Sequence, residues 1–154
     1  SFAERMVLPA AARKTPATMM DAKFSLPFTV AIALSAGRMS ITDFAPEALK
    51  NPDILALADK IEGIADPAFN WNLKLPAGKV EVETTDGRIF SRLGDAVPGT
   101  PERPMTWDEL DHKFAGCAAV AATPLASARI AKTQGFVRAL QDAKDATLIL
   151  ELLA

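Results

Sequence analysis

The sequence has very few of the residues on which most enzyme chemistry depends. Its 154 residues include one His (His112), one Cys (Cys117) and no Tyr. A disulfide within the chain needs two cysteines, and a structural zinc site usually draws four ligands from Cys and His, so both are excluded. Any Cys-His or Ser-His catalysis would have to use His112. The residue inventory by itself therefore indicates no activity.

An excess of charge of one sign is missing too. The 17 Lys and Arg residues against 19 Asp and Glu residues give a formal net charge of -2, and no basic cluster stands out. Nucleic acids and anionic membranes are bound through such clusters, so neither partner is expected. The glycines form no GxGxxG phosphate-binding pattern. The length and the 49% hydrophobic content predict one globular domain over residues 1–154. We expect it to be cytoplasmic.

Long hydrophobic runs are absent as well. The longest nearly uncharged run, 24–36, is shorter than the roughly 20 residues that a membrane-spanning helix needs. Ser25 can cap a helix here, Pro27 suits its first turn, and Gly37 can end it. Because this helix is apolar on every side, we predict that it is a core helix covered on most faces.

Weaker sequence signals for secondary structure lie on both sides of this predicted helix. Between 40 and 58, two prolines break the pattern into two short helical turns, and Asn51 before Pro52 is typical of a helix cap. Four other segments are predicted from local composition: an edge strand over 2–8, a loop over 10–20, a strand over 60–65 and a loop over 70–76.

The clearest local signal is a β-hairpin. Residues 79–85 alternate polar with β-branched side chains, Asp86-Gly87 is typical of a two-residue type I′ turn, and residues 88–93 return. Such a turn places Glu81 opposite Arg92. One face then carries four apolar side chains: Val80, Val82, Ile89 and Leu93.

Thr106 and Glu109 match the capping box that begins a helix. The apolar positions of this helix share one face: Trp107, Leu110, Phe114, Cys117 and Ala121. Cys117 is therefore predicted to be packed and unreactive, and His112 to point into solvent. The alternative for His112 is a general base whose pKa is raised by nearby carboxylates.

Two further helices are predicted towards the C-terminus. Thr123-Pro124 indicates the start of the first, whose apolar face is formed by Ile130, Thr133, Val137 and Leu140. Asp145 is predicted to cap the second, and the apolar side of 142–154 needs a surface to pack on. The pattern predicts an α+β fold, with a small antiparallel sheet that contains the Asp-Gly hairpin and is covered by helices on one face.

One segment resembles a known family. Pro16-Ala17-Thr18 is followed by Asp21–Phe28 (DAKFSLPF) and by an apolar helix that ends at Gly37. Later matches follow in the same order: the 44–47 turn, Asp66-Pro67, the Asp86-Gly87 hairpin, the 104–110 segment and Lys113-Phe114. Over nearly all its length the sequence resembles the C-terminal domain of the MmgE/PrpD family. Its members include 2-methylcitrate dehydratase of propionate catabolism, cis-aconitate decarboxylase and iminodisuccinate epimerase.

The resemblance implies a two-domain lyase or isomerase that acts on small di- or tricarboxylic acids without a cofactor or metal, as a homodimer. A helical N-terminal domain, missing here, would hold the acid/base residues, so no catalytic residue is expected in this chain. That domain would also receive 142–154. Lys23, Ser25 and Phe28 would line the substrate pocket. The alternative for Phe28 is core packing. A related decarboxylase has Tyr at this position, so its phenol donor is absent.

A second hypothesis belongs to another functional class. The chain would be a stand-alone, non-catalytic ligand-binding or interaction module of the same fold. The two hypotheses differ in the gene, because the first expects a longer helical coding sequence upstream of Ser1. Under both, the isolated chain is predicted to be inactive, since one solvent-facing His cannot assemble a site for proton abstraction.

Overall fold

The computed structural model describes residues 2–64, 66, 78–94 and 97–154, and the loop predicted over 70–76 lies outside them. The helices are α1 (Phe2–Val7), α2 (Ala10–Lys14), α3 (Met19–Lys23), α4 (Leu26–Ala36), α5 (Pro52–Asp59), α6 (Trp107–Ala119), α7 (Ser127–Arg138) and α8 (Leu148–Leu153). Strands β1 (Lys79–Glu83) and β2 (Ile89–Leu93) form a two-stranded antiparallel sheet. The predicted α+β class with a small antiparallel sheet is therefore confirmed.

The chain divides into two units. One comprises Ser1–Gly63 together with Leu110–Ala154, and the other comprises Ile64–Glu109. No described helix is both long and apolar enough to cross a membrane.

Helix α4 begins and ends where the sequence predicts. The Ser25 hydroxyl accepts a hydrogen bond from the Phe28 N–H at 3.1 Å, and Pro27 lies in the first turn. Gly37 ends the helix with a φ of 68°, a left-handed conformation that costs glycine little. The burial prediction is wrong, however, because Leu34 is 45% exposed and the buried residues of α4 lie along one side.

The core of the Ser1–Gly63 segment forms around that buried side. Phe28 and Ile32 of α4 meet three residues from the flanking elements: Ala22, Phe44 and Leu49. Ile54 and Leu55 of α5 pack against this cluster. Asn51 caps α5 by accepting bonds from the N–H groups of Asp53 and Ile54, which confirms its predicted role.

The N-terminal segment is helical, so the strand predicted over 2–8 is wrong. Residues Ala3 to Met6 are all good helix formers, and a short mixture of apolar and polar residues fits either period. The predicted loop over 10–20 also contains α2 and the first turn of α3. The helix α2 forms here because Ala, Arg and Lys all favour helices, although charged residues such as Arg13 and Lys14 also suit a solvated loop.

Residues 61–64 form no strand, in contrast to the one predicted over 60–65. The two short helical turns predicted before α5 are present as 3-10 helices at Ile41–Phe44 and Ala48–Lys50. After α5, the Ile61 N–H donates to the Ala58 carbonyl, which continues the helical turn. A Cβ on Gly63 would lie 2.3 Å from Val7 Cγ1, so the chain passes α1 at a distance that only glycine permits.

The hairpin is present, but its predicted register is wrong by one residue. Val80 pairs with Arg92, and Glu81 pairs with Ser91. Thr84 closes the loop, because its N–H donates to the Arg88 carbonyl at 2.9 Å and its carbonyl accepts from the Gly87 N–H at 2.8 Å. This makes a three-residue loop with Gly87 at a φ of 82°, in place of the two-residue turn.

The shifted register also changes the faces of the sheet. Val80 and Val82 share a face with Phe90, whereas Ile89 and Leu93 lie on the opposite face. In the described strands Val82 alone is partly buried, and the predicted helical cover of one face stays a prediction. The Phe90 ring has the Arg88 guanidinium 5.5 Å from its centroid.

The capping box predicted at the start of α6 is present. The Thr106 N–H donates to Glu109 Oε2 at 2.8 Å, and the Glu109 N–H donates to Thr106 Oγ1 at 3.2 Å.

Helices α6 and α7 are joined by polar contacts. Asp111 accepts from the Arg138 guanidinium, and its carbonyl accepts from Gln134 Nε2 at 2.9 Å. Thr133, Ile130 and Val137 are at least partly buried, as predicted, whereas Leu140 is exposed.

The start predicted for α7 at Thr123-Pro124 is wrong, because the helix begins at Ser127. The Leu125 N–H donates to the Ala118 carbonyl at 3.1 Å. This bond holds the connection against the end of α6 and delays the next helix.

The prediction that Cys117 is packed is also wrong, because its side chain is exposed. The inward face of α6 includes Asp111, Phe114 and Ala118, which are partly or fully buried. Asp111 can face inward because α7 supplies its hydrogen-bond partners. Because Asp111 faces α7, the buried face of α6 does not include Cys117.

The final helix, α8, confirms the predicted apolar terminal segment. The N-cap residue of α8 is Thr147 and not Asp145. Asp145 Oδ1 accepts a hydrogen bond from the Thr147 N–H at 2.8 Å, just before the helix. Leu148, Leu150 and Leu153 remain exposed, and α8 contacts α7. The packing of 142–154 on another domain stays a prediction.

Candidate functional site

Ser25 is fully buried and its hydroxyl is engaged twice. It accepts from the Phe28 N–H at 3.1 Å and donates to the Arg13 carbonyl, which ties α4 to α2. Its own carbonyl accepts from the Thr29 hydroxyl at 2.8 Å. These bonds give Ser25 a structural role in the described chain.

Phe28 has no exposed surface. Its ring lies in the core cluster with Ile32, Phe44 and Leu49. The structure therefore places Phe28 according to the core-packing alternative. Its contact with a substrate stays a prediction that nothing in the described residues supports.

Lys23 is the one of the three predicted pocket residues whose side chain is exposed. Its ammonium lies 6.0 Å from the centroid of the Phe44 ring, within the range of a cation–π contact. Phe44 itself belongs to the core cluster. Lys23 is thus a cation held at the surface directly above the core that Phe28 helps to form.

The segment 21–28 therefore serves mainly to build the core and to cap α4, and Lys23 is its exposed charged side chain. Ala22 and Phe28 fill the core, Ser25 caps α4, and Lys23 presents an ammonium group to solvent. That the three residues line one substrate pocket stays a prediction. Of the three, Lys23 alone is available to contact an anionic ligand.

A groove that sequence reasoning missed lies next to this segment. It has a volume of about 570 Å³ and is lined by Thr15–Met19 on one side and by Pro46, Leu49, Lys50 and Leu55 on the other. The Pro16-Ala17-Thr18 motif, which the sequence indicated only as part of a resemblance, forms one wall. Because this motif is distant from Lys50 in sequence, local sequence patterns could not predict the groove.

The side chains with catalytic chemistry are dispersed. His112 is exposed on α6, as predicted, and Glu109 beside it is engaged with Thr106. Within the described ranges, no three His, Cys, Asp or Glu side chains come close enough together to hold a metal ion. Nor does the fold bring a nucleophile and a base together in the part of the chain that the structure describes.

Three carboxylates have lowered pKa values, and each has a local structural cause. Hydrogen bonds from the backbone and hydroxyl of Thr106 lower the pKa of Glu109. The Thr84 hydroxyl and Arg88 lower the pKa of Asp86 in the hairpin loop, and the Thr147 hydroxyl and N–H lower that of Asp145. All three stabilise turns or helix starts, so these shifts do not indicate an active site.

The capping box predicts a pH dependence of stability. Because its hydrogen bonds favour the ionised form, the pKa of Glu109 is lower in the folded state than in the unfolded state. The stabilisation is complete above the ordinary glutamate pKa and is lost as the pH falls through the lower folded value. We expect Glu109→Gln to destabilise the chain at pH 7 and the difference from wild type to shrink towards pH 3.

Urea unfolding of both proteins across this pH range measures that difference. Glu102→Gln, at an exposed position in the same loop region, is the matched control. A gap between wild type and Glu109→Gln that stays constant with pH would contradict the role assigned to the carboxylate.

The fold and the 21–28 segment define the chain as a mixed α+β domain with an N-terminal helical core. The model of the MmgE/PrpD C-terminal domain matches residues 4–136. The chain belongs to this family, which confirms the resemblance found in the sequence. No curated protein matches the chain.

Proposed function

We propose that the chain is the C-terminal domain of a cofactor-independent lyase or isomerase that acts on small di- or tricarboxylic acids. The match of the MmgE/PrpD C-terminal domain to residues 4–136 carries this proposal. A reaction like that of 2-methylcitrate dehydratase fits it. The active protein would be a cytoplasmic homodimer in which a helical N-terminal domain precedes this one and receives residues 142–154.

The roles proposed for the two domains follow from the chemistry of the reaction. Removing a proton next to a carboxylate needs a positioned base and donors for the developing negative charge. His112 is exposed on α6 and Glu109, one turn away, is engaged in capping, so the described residues offer no such arrangement around the imidazole. We assign the base to the other domain, and we assign a pocket wall to this one.

Lys23 is the residue that we expect to contact the substrate. Its exposed ammonium would pair with a substrate carboxylate, while Ser25 and Phe28 fix the backbone that carries it. Replacing it with Met keeps the aliphatic stem over Phe44 and removes the charge. In the full-length gene product we expect Lys23→Met to raise KM about tenfold with little change in kcat, because the lost bond is present before and during reaction.

Steady-state kinetics of Lys23→Met and of Lys132→Met, at an exposed site on α7, test this role. The control is expected to keep the wild-type KM. If KM is equal in both variants, Lys23 does not contact substrate, and a loss confined to kcat would assign it to the chemical step.

Turnover separates the enzyme proposal from a stand-alone binding module. We expect the full-length product to convert one of the family's acids, such as 2-methylcitrate or cis-aconitate, and the isolated 154-residue chain to convert none. In the full-length product, His112→Ala is expected to keep kcat. A start codon next to Ser1, or activity of the isolated chain that His112→Ala abolishes, would overturn the proposal.

A further inference from the structure

The groove between the Thr15–Met19 segment and the turn before α5 is open to solvent and large enough to hold a small molecule. Its volume of about 570 Å³ lies within the range of roughly 300–1,000 Å³ that is common for small-molecule pockets. The segment that precedes α3 forms one wall, and the 3-10 helix Ala48–Lys50 with Leu55 of α5 forms the other. The groove lies entirely within the Ser1–Gly63 segment.

The lining of the groove is mostly apolar. Pro16 is buried, Leu49 is 7% exposed, and Leu55 packs against the core, so these walls are fixed by the fold. Thr18 adds a hydroxyl, but this group donates to Asp21 Oδ2 at 2.7 Å. Lys50 supplies the charge in the lining.

Lys50 differs from two other lysines of the same segment. Lys14 has the Asp59 carboxylate 3.7 Å from its ammonium, and Lys23 lies over the Phe44 ring. Among the described residues, no carboxylate lies within 4.0 Å of the Lys50 ammonium. A lysine that lines an apolar groove and forms no ion pair is complementary to an anion with an apolar body.

We propose that this groove binds a singly charged organic acid with a short apolar chain, whose carboxylate pairs with Lys50. The number of charges follows from the lining: a second or third carboxylate would lie against Pro16, Leu49 or Leu55 without a partner, which is unfavourable. The ligand therefore differs in class from the di- or tricarboxylic substrate proposed above, and the inference does not rest on that proposal.

Methyl NMR of the full-length product, with its methionines labelled at the methyl carbon, tests this site. Met19 lines the groove, whereas Met39 is exposed elsewhere on the chain, so the two signals serve as reporter and control. We expect hexanoate to shift the Met19 signal saturably and to leave Met39 unchanged. Hexan-1-ol and propane-1,2,3-tricarboxylate are expected to bind at least fivefold more weakly.

Two lysine variants show whether the charge matters. Lys50→Met is expected to weaken hexanoate binding about fivefold and to leave binding of hexan-1-ol unchanged. Lys60→Met, at an exposed position after α5, is expected to leave both unchanged. Equal binding of hexanoate and hexan-1-ol, tighter binding of the tricarboxylate, an unshifted Met19 signal or an unaffected Lys50→Met variant would each overturn the proposal.

Discussion

Replacing Phe28 with Ala is expected to lower the free energy of unfolding by about 3–5 kcal/mol, the usual cost of removing a buried Phe side chain. The ring has no exposed surface and contacts the central cluster from α4. The residues around it belong to different short elements that are packed on α4, so they cannot collapse into the space without moving those elements. Urea or thermal unfolding of the purified variant measures the loss.

Phe24→Ala is the matched control for this experiment. Phe24 lies four residues earlier in the same segment and is 45% exposed, so its truncation is expected to cost less than about 1 kcal/mol. Equal losses from the two variants would contradict the core assignment of Phe28. A stable Phe28→Ala variant with a raised KM in the full-length enzyme would favour the pocket role that the sequence resemblance implied.

Ser25→Ala is expected to cost about 2 kcal/mol. The substitution removes the N-cap of α4, which is typically worth about 1 kcal/mol. It also leaves the Arg13 carbonyl without its donor at a partly buried position, which adds a cost of similar size. Equilibrium unfolding in urea gives the value directly.

Ser35→Ala provides the comparison, since Ser35 is exposed near the other end of the same helix. Alanine is the better helix former, so we expect this variant to be neutral or slightly stabilised. If Ser25→Ala were equally neutral, the hydroxyl would not have the structural role described here. Its burial would then have to be explained by another function.

The capping signals of α4, α5 and α6 were reliable, whereas the equally local start signal at Thr123-Pro124 was not. The limits of α4 follow from Ser25, Pro27 and Gly37, because each acts on the backbone within one turn. The Thr106–Glu109 capping box is equally local. Such features depend little on what the rest of the chain does.

Predictions that depended on distant partners failed more often. Cys117 was assigned to the buried face of α6 by its apolar spacing, yet Arg138 and Gln134 of α7 draw Asp111 inward and set a different face. These partners on α7 are not evident from local periodicity. The hairpin prediction failed for a local reason, because the Thr84 side chain bonds to the Arg88 carbonyl and supports a three-residue loop, although Asp-Gly favours two.

The location of the candidate site at a substrate pocket stays a prediction. The resemblance directed attention to Lys23, Ser25 and Phe28, and the structure shows that two of them are buried and hold α4 in place. Lys23 alone keeps an exposed functional group. The groove was not predicted, because its walls come from 15–19 and 46–55, which meet only when the chain folds.

In the proposed enzyme, this domain supplies a pocket wall and another domain supplies the acid/base chemistry. A crystal structure of the full-length gene product with a bound tricarboxylic acid tests that assignment most directly. We expect a substrate carboxylate within hydrogen-bond distance of Lys23 Nζ, and the base next to the reacting carbon to come from outside residues 1–154. A substrate bound away from the 21–28 segment, or one with His112 at its reacting carbon, would contradict the account.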